Sequence, residues 1–188
     1  GVTDPDEQGI RGGLIDDPLN DNGKQQAQDA KEYLKDKHIQ FVISSDMDRA
    51  QETAETIRPD KDRYVDKNLR PWDVGVFAGK PHAQYKEEFD HFINHPSVPI
   101  PDGESMEQFS DRMSNVFDKY IEFARQHGPS LVVTHSKNFT QFKKRVEFKN
   151  EFKKPVDEDK VNEGGIMVIL DEDGVLKCEI VYNRGDGK

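Results

Sequence analysis

The chain has 188 residues, which is the length of one ordinary domain, so residues 1–188 are expected to form a single domain. It carries 27 Lys and Arg residues against 37 Asp and Glu residues, and its formal net charge is -10. Such an acidic chain repels nucleic acids and anionic membrane surfaces, and no run approaches the roughly 18 apolar residues of a membrane span. The single cysteine, Cys178, excludes an internal disulfide and a thiolate-based zinc site, and it favours a reducing, cytoplasmic location.

A helix, a strand and a second helix are predicted in the first third of the chain. The first helix begins near Asn20 and ends before His38. The β-branched run at 39–43 predicts a strand, and Ser45 and Asp48 have the spacing of a capping box for the helix that follows. The buried face of that helix recurs at i, i+3, i+4 and i+7, at Ala50, Thr53, Ala54 and Ile57.

The longest predicted helix lies in the middle of the chain. Ser105 and Gln108 have the spacing of a capping box at its start, and Gly128-Pro129 ends it. One apolar stripe runs along the helix, formed by Met106, Phe109, Met113, Val116, Phe117, Tyr120, Ile121 and Ala124.

The order of strand then helix returns in the last third. Residues 130–134 predict a buried strand, and a helical pattern follows His135. The runs at 166–170 and 175–182 predict two strands joined by a hairpin turn at 171–174. Strands that alternate with helices predict an α/β fold, here a three-layer α/β/α sandwich whose sheet is mostly parallel with an antiparallel edge strand.

Two side chains are predicted at the carboxyl edge of this sheet, where α/β proteins bind their ligands. Arg49 lies in the first turn of the helix after strand 39–43, and His135 directly follows the strand at 130–134. A guanidinium and an imidazole at one sheet edge suit an anion such as phosphate. On position alone, it is equally possible that Arg49 is an ordinary surface residue and that His135 has a purely structural role, without binding an anion.

Longer patterns surround these two residues. Residues 13–27 read G-x-x-D-x-P-L-x-x-x-G-x-Q-x-A, residues 44–54 read S-x-x-x-x-R-A-x-x-T-A, residues 103–105 read G-E-S, and residues 132–135 read V-V-T-H. In this order, and over nearly the whole chain, they resemble the motifs of the histidine phosphatase superfamily, the phosphoglycerate mutase-like group.

The resemblance implies phosphoryl transfer without a metal or another cofactor, acting on a small phosphorylated substrate or binding inorganic phosphate. In that family the histidine of an R-H-G motif attacks phosphorus and forms a phosphohistidine. Arg49 and His135 match the family's second arginine and second histidine, and Gly1-Val2-Thr3 matches the G-x-T of its first motif. Thr3, Arg49 and His135 are therefore the expected phosphate-binding residues, and a strand with the Arg-His pair is expected upstream of Gly1.

The chain departs from the family pattern at the proton donor. Many members carry L-x-E-x-x-x-G, whereas this chain has Pro71 at the glutamate position. Asp73 and Glu104 are the two candidate acids, and the sequence does not decide between them. The segment 67–104 is expected to cover the substrate.

Two functional hypotheses remain open on the sequence. The first is a phosphomonoester phosphatase or mutase, with hydrolysis favoured. The second is a catalytically inactive relative that uses the same scaffold to bind or to assemble, which the missing histidine and Pro71 favour. The sequence identifies neither the substrate nor the oligomeric state.

Overall fold

The computed structural model describes residues 1–149, 166–172 and 175–182. In chain order its main elements are α1 (Asp4–Glu7), α2 (Asp21–Leu34), β1 (Phe41–Ser44), α3 (Asp48–Ile57), β2 (Arg63–Val65), α4 (Lys86–Asn94), α5 (Met106–His127), β3 (Ser130–Val133), α6 (Ser136–Lys149), β4 (Ile166–Glu172) and β5 (Val175–Tyr182). Two short 3₁₀ turns, Lys67–Leu69 and Gly75–Phe77, lie between β2 and α4.

Three parallel strands form the central sheet, with β1 between β2 and β3. Val42 lies opposite Arg63 on one side and Leu131 on the other. Because both neighbours run parallel to β1, the segments that follow β1 and β3 emerge at the same edge of the sheet. Arg49 and His135 lie in these two segments.

Helices cover both faces of the sheet, which confirms the predicted α/β architecture. Val42 packs with Ala50 and Ala54 of α3 on one face. Ile43, whose side chain points to the opposite face because successive strand residues alternate, joins a larger cluster with Phe109 and Met113 of α5. Adjacent strand residues thus anchor the two outer layers.

The predicted antiparallel edge of this sheet is wrong. All strand pairs of the central sheet are parallel, and β4 and β5 instead pair with each other as a separate antiparallel ladder, with Ile169 opposite Cys178. In such a ladder the facing backbone groups of the two strands bond to each other. Within the described residues, no strand pairs with both β3 and β4, so the two sheets are separate. Residues 173–174 of the predicted turn lie outside the described residues, whereas 171–172 belong to β4.

The start and end of α5 are confirmed. Ser105 Oγ accepts a hydrogen bond from Gln108 N at 3.1 Å, and Gln108 Oε1 accepts one from Ser105 N at 2.8 Å. Gly128 ends the helix with a φ of 107°, a left-handed conformation that glycine adopts without steric cost.

The capping box predicted for α3 is wrong. The helix starts one residue after Met47, whose side chain makes no capping bond, because Ser45 still belongs to the sheet edge and its N–H donates to Val133 O at 3.0 Å. Asp16 of the preceding loop supplies a cap instead, since its Oδ1 accepts from Asp48 N at 2.7 Å. The loop before α2 is thereby fixed against the start of α3.

Across the described ranges, no helix is both long enough and apolar enough to cross a bilayer.

Candidate active site

A cavity of about 300 Å³ opens beside the carboxyl ends of β1 and β3. Its walls include Thr3, Arg49 and His135, so the structure brings together the three residues that the sequence predicts for phosphate. The other two candidates, Asp73 and Glu104, are not part of its lining.

Arg49 reaches the cavity from the first turn of α3. Its Nη1 donates to Ile15 O at 2.9 Å and its Nη2 to Gly13 O at 3.2 Å. These two bonds hold the planar guanidinium against the loop that carries the motif at 13–27, which fixes its orientation before any ligand arrives. The side chain is therefore a pre-positioned cation and not a mobile surface arginine.

His135 lies at the end of β3 and is only 9% exposed. Its Nε2 is buried and has no hydrogen-bond partner among the described residues. Burial, and after it the positive charge of Arg49, lowers the pKa of His135 well below its ordinary value, so the ring is neutral at pH 7. A buried ring nitrogen without a protein partner is rare, and it indicates a group that bonds to a ligand or water.

The backbone around His135 is held by the buried amide of Asn138. Asn138 Nδ2 donates to Thr134 Oγ1 at 2.7 Å and to Leu69 O at 2.8 Å, while Asn138 N donates to His135 O at 2.9 Å. These bonds join the start of α6 to the 3₁₀ turn at 67–69. The position of the imidazole is thus set by two elements that are distant in sequence.

Thr3 lines the cavity, but its own donors are used locally. Its N–H and its hydroxyl both donate to Asp6 Oδ2, at 2.9 and 2.8 Å. Next to it, Val2 N donates to Gln26 Oε1 at 2.8 Å, and Gly1 N donates to Thr53 Oγ1 at 3.2 Å. Residues 1–3 are therefore seated between α2 and α3, at the rim of the cavity.

Glu104 belongs to a charged cluster outside the cavity. Its Oε1 accepts from Arg112 Nε at 2.8 Å and its Oε2 from Arg112 Nη2 at 2.8 Å, a bidentate pair. Arg112 also donates to the backbone oxygens of Asn68, Arg70 and Pro71. Arg112 thereby ties both Glu104 and the segment around Pro71 to α5.

Asp73 lies between two residues that do line the cavity, Trp72 and Val74. Its Oδ1 accepts from Gly75 N at 3.1 Å, and its own N–H donates to Glu104 Oε2 at 3.1 Å. Gly75 has a φ of 45°, and a Cβ there would collide with the carbonyl of Pro101, so only glycine fits this close approach of two loops.

Trp72 is both a core residue and part of the cavity wall. It is buried, its ring lies 5.1 Å from that of Phe89 and 6.1 Å from that of Phe109, and its Nε1 donates to Glu104 O at 3.1 Å.

Sequence reasoning did not place Arg11 and His82 in the site, although both line the cavity. They come from loops without a strand or helix pattern to locate them. Arg11 lies between Gly9-Ile10 and Gly12-Gly13, and this glycine-rich stretch is the one sequence feature that indicates a loop close to a ligand. Among the described residues, no group of three or more His, Cys, Asp or Glu side chains is close enough to hold a metal ion.

The chain is similar to a phosphoglycerate mutase and to a fructose-2,6-bisphosphatase. A probable phosphoglycerate mutase GpmB of Citrobacter koseri is 33% identical over 127 residues, which cover 64% of this chain and 59% of that protein. The fructose-2,6-bisphosphatase TIGAR B of Danio rerio is 33% identical over 137 residues, covering 65% of this chain and 51% of that protein. The chain thus spans between about half and three fifths of the length of these curated relatives.

The fold matches solved structures over almost its full length. A putative α-ribazole-5'-P phosphatase from Escherichia coli superposes with a TM-score of 0.83 at 22% identity, covering 98% of this chain and 93% of that one. A phosphoglycerate mutase from Bacillus anthracis superposes with a TM-score of 0.78 at 25% identity, covering 98% and 90%. The model of the histidine phosphatase superfamily, branch 1, matches residues 1–145. The chain therefore belongs to branch 1 of the histidine phosphatase superfamily.

Proposed function

We propose that the protein hydrolyses small phosphomonoesters through a phosphohistidine, with the nucleophilic histidine directly upstream of Gly1. The observation that carries the proposal is the convergence of Arg49 and His135 on one cavity, from the segments that follow two neighbouring parallel strands. A fixed cation and a neutral imidazole with an unpartnered buried nitrogen are the groups that stabilise charge on the oxygens of a transferred phosphoryl group. Family membership supports the same chemistry.

The shape of the cavity supports the position of the nucleophile. The cavity continues along β3, past Leu131 and Val132, and small side chains of α2 and α3 leave room there, namely Ala27, Ala30 and Ala50. Within the described residues, the edge of β3 that faces away from β1 pairs with no strand. A strand upstream of Gly1 would satisfy that edge and end beside Arg49, because Gly1 already lies against α3.

The proposed reaction has two steps. In the first, a histidine nitrogen attacks phosphorus while the ester P–O bond breaks, and the leaving alcohol takes up a proton. In the second, water attacks the phosphohistidine and gives a proton to the carboxylate that donated in the first step, the P–N bond breaks, and phosphate and the restored histidine result. Arg49 and His135 stabilise the three non-bridging oxygens in both steps, so no metal ion or other cofactor is required.

For the proton donor we propose Asp73 in preference to Glu104. Both carboxylate oxygens of Glu104 accept hydrogen bonds from Arg112, and this pair holds the carboxylate outside the cavity. Among the described residues, the Asp73 carboxylate accepts only from the backbone N–H of Gly75, and the residues on both sides of Asp73 line the cavity. The segment 67–104 as a whole is proposed to cover the substrate, since Pro71, Trp72, Val74, His82 and Phe89 all line the cavity.

The test is a comparison of two proteins in the hydrolysis of an aryl phosphate. One is the chain from Gly1, and the other carries a strand and an Arg-His pair ahead of Gly1. The proposal expects turnover by the extended protein alone, and it expects that turnover to be lost when the added histidine is replaced by alanine.

A catalytically inactive, phosphate-binding protein is the second candidate. The observation in its favour is that neither candidate acid lines the cavity. It predicts that the extended protein binds inorganic phosphate through Arg49 yet shows no turnover. A small phosphorylated partner and a cytoplasmic location are proposed under both candidates.

A further inference from the structure

We propose that His91 and His95, at the C-terminal end of α4, bind a divalent transition metal of the copper, nickel and zinc group. The pair lies apart from the candidate active site, since neither residue belongs to the lining of the cavity. The inference therefore does not depend on the proposed function, and the metal has no part in the proposed reaction.

Helix geometry brings the two imidazoles together. α4 ends at Asn94 and His95 is its C-cap, so His91 and His95 lie one helical turn apart on the same face. Their ring centres are 4.3 Å apart, and the ring planes differ by 30°. Both residues are exposed, so a hydrated ion can reach them from solvent. Two imidazoles at this spacing on a helix can chelate one metal ion.

The tautomer of His95 is fixed by a backbone contact within the pair. His95 Nδ1 lies 2.8 Å from His91 O. Because a carbonyl oxygen only accepts, Nδ1 carries the proton, and the neutral ring keeps its lone pair on Nε2. A ring N–H that is held by a backbone carbonyl is the arrangement that orients metal-bound histidines in many proteins. His95 is thus oriented for ligation before a metal arrives.

The charge at this end of α4 favours a cation. The last carbonyl groups of a helix carry a partial negative charge, and His91 lies in the last turn. The same helix carries Glu87 and Glu88 in its first turn, and the net charge of the whole chain is -10. These charges raise the local concentration of cations around the two imidazoles.

The ligand type determines which metals fit. Imidazole nitrogen binds Zn²⁺, Ni²⁺ and Cu²⁺, whereas Mg²⁺ and Ca²⁺ prefer oxygen ligands. Among the described residues, no third His, Cys, Asp or Glu side chain completes a metal-binding group with the pair. Water would therefore supply the remaining ligands, and we expect a reversible site and not a permanently occupied one.

His127 has similar surroundings but no second imidazole beside it. It is exposed in the last turn of α5, and its Nδ1 lies 2.9 Å from Phe123 O, one turn earlier. Its ring stacks on that of Phe123, with the ring centres 4.4 Å apart. A phenyl ring offers no nitrogen to a metal, so His127 serves as a matched control within the same chain.

The test is a calorimetric titration of the chain with Ni²⁺ at about pH 7.5, where most imidazoles are neutral. We expect one site that is tighter than any other, which His91→Ala and His95→Ala each weaken by at least about tenfold. Because a chelate needs both rings, the losses should not add in the double variant. His127→Ala should keep the affinity of the unmodified chain.

The proposal is overturned if the unmodified chain binds no Ni²⁺, if either single variant keeps full affinity, or if His127→Ala weakens binding as much. Losses that add in the double variant indicate two independent histidines and overturn it as well. NMR spectra of the unmodified chain give a test without any substitution. Paramagnetic Ni²⁺ should broaden the ring-proton signals of His91 and His95 before those of His127, and equal broadening of all three contradicts the chelate.

Discussion

Burial and the positive charge of Arg49 together keep His135 neutral at the end of β3. The two residues come from segments that follow neighbouring parallel strands. Arg49 is fixed by its bond to the distant Ile15 O, whereas the backbone around His135 is held through Asn138, which donates to the distant Leu69 O. A neutral imidazole can donate to one phosphate oxygen while the guanidinium supplies the charge. We propose that the site uses both residue types for this reason.

Arg49→Ala should weaken the binding of phosphate or vanadate by about ten- to a hundredfold, because a charge-assisted contact contributes roughly 1.5–3 kcal/mol. Calorimetry on the variant and the unmodified chain measures the change. Arg63→Ala is the control, since Arg63 lies on β2, outside the cavity, where it forms an ion pair with Glu55 of α3. Equal affinity in the Arg49 variant would place the anion elsewhere.

The chain should lose stability as the pH falls below the ordinary histidine value of about 6.5. The pKa of His135 is lowered in the folded state, so below that pH the unfolded chain takes up a proton that the native chain does not. The free energy of unfolding then falls with decreasing pH, by at most about 1.4 kcal/mol per pH unit for one group.

Urea unfolding of His135→Asn and the unmodified chain at about pH 7.5, 6.5 and 5.5 measures this dependence. The variant should have the shallower pH dependence, whereas His38→Asn, at an exposed position, should behave like the unmodified chain. Parallel curves for His135→Asn and the unmodified chain contradict the buried, neutral state of the ring.

Glu104→Gln should lower the free energy of unfolding by about 1–3 kcal/mol, because Arg112 loses its partly buried counter-charge. Urea unfolding measures the loss, and Glu122→Gln, which affects an exposed pair with Arg125, should change stability by less than about 0.5 kcal/mol. If the same substitution in the extended protein leaves the free energy of unfolding unchanged and lowers turnover, Glu104 instead belongs to the chemistry.

Asp73→Asn should slow the extended protein on an alkyl phosphate by about ten- to a thousandfold and have little effect on an activated aryl phosphate. A poor leaving group needs a proton in the transition state, whereas an activated phenolate departs without one. Turnover numbers for both substrates give the comparison. If the alkyl phosphate is hydrolysed as fast by the variant, the donor is water or another group.

Local patterns predicted the elements that position the site. The capping box at Ser105 and the glycine at 128 set the limits of α5, and the apolar run before Ser44 gave β1, so Arg49 could be placed at the sheet edge. β2 was missed because its three residues, Arg63–Val65, are all exposed and give no apolar pattern. The prediction of an antiparallel strand at the edge of the central sheet was wrong. A hairpin can be predicted from its own two strands, but whether it joins a sheet depends on which sheet edge has unpaired backbone groups.

The chemistry of the site was less predictable than its position. The bond between Glu104 and Arg112 joins the residue just before the helix cap to a turn of α5. Arg112 also binds the backbone oxygen of Arg70, a contact that no local sequence pattern indicates. Arg11 and His82 meet through the bridge of Ile10 with Pro81, a long-range pairing with no sequence pattern. Such contacts arise from tertiary packing and not from local propensity.

The central claim is that phosphorus is attacked by a histidine upstream of Gly1 and not by His135. The most direct measurement is to quench the extended protein during turnover of a radiolabelled phosphomonoester and to locate acid-labile phosphate on its histidines. The account predicts label on the added histidine, none on His135, and none at all on the chain from Gly1. Label on His135, or turnover by the chain from Gly1 that disappears in His135→Ala, would contradict it.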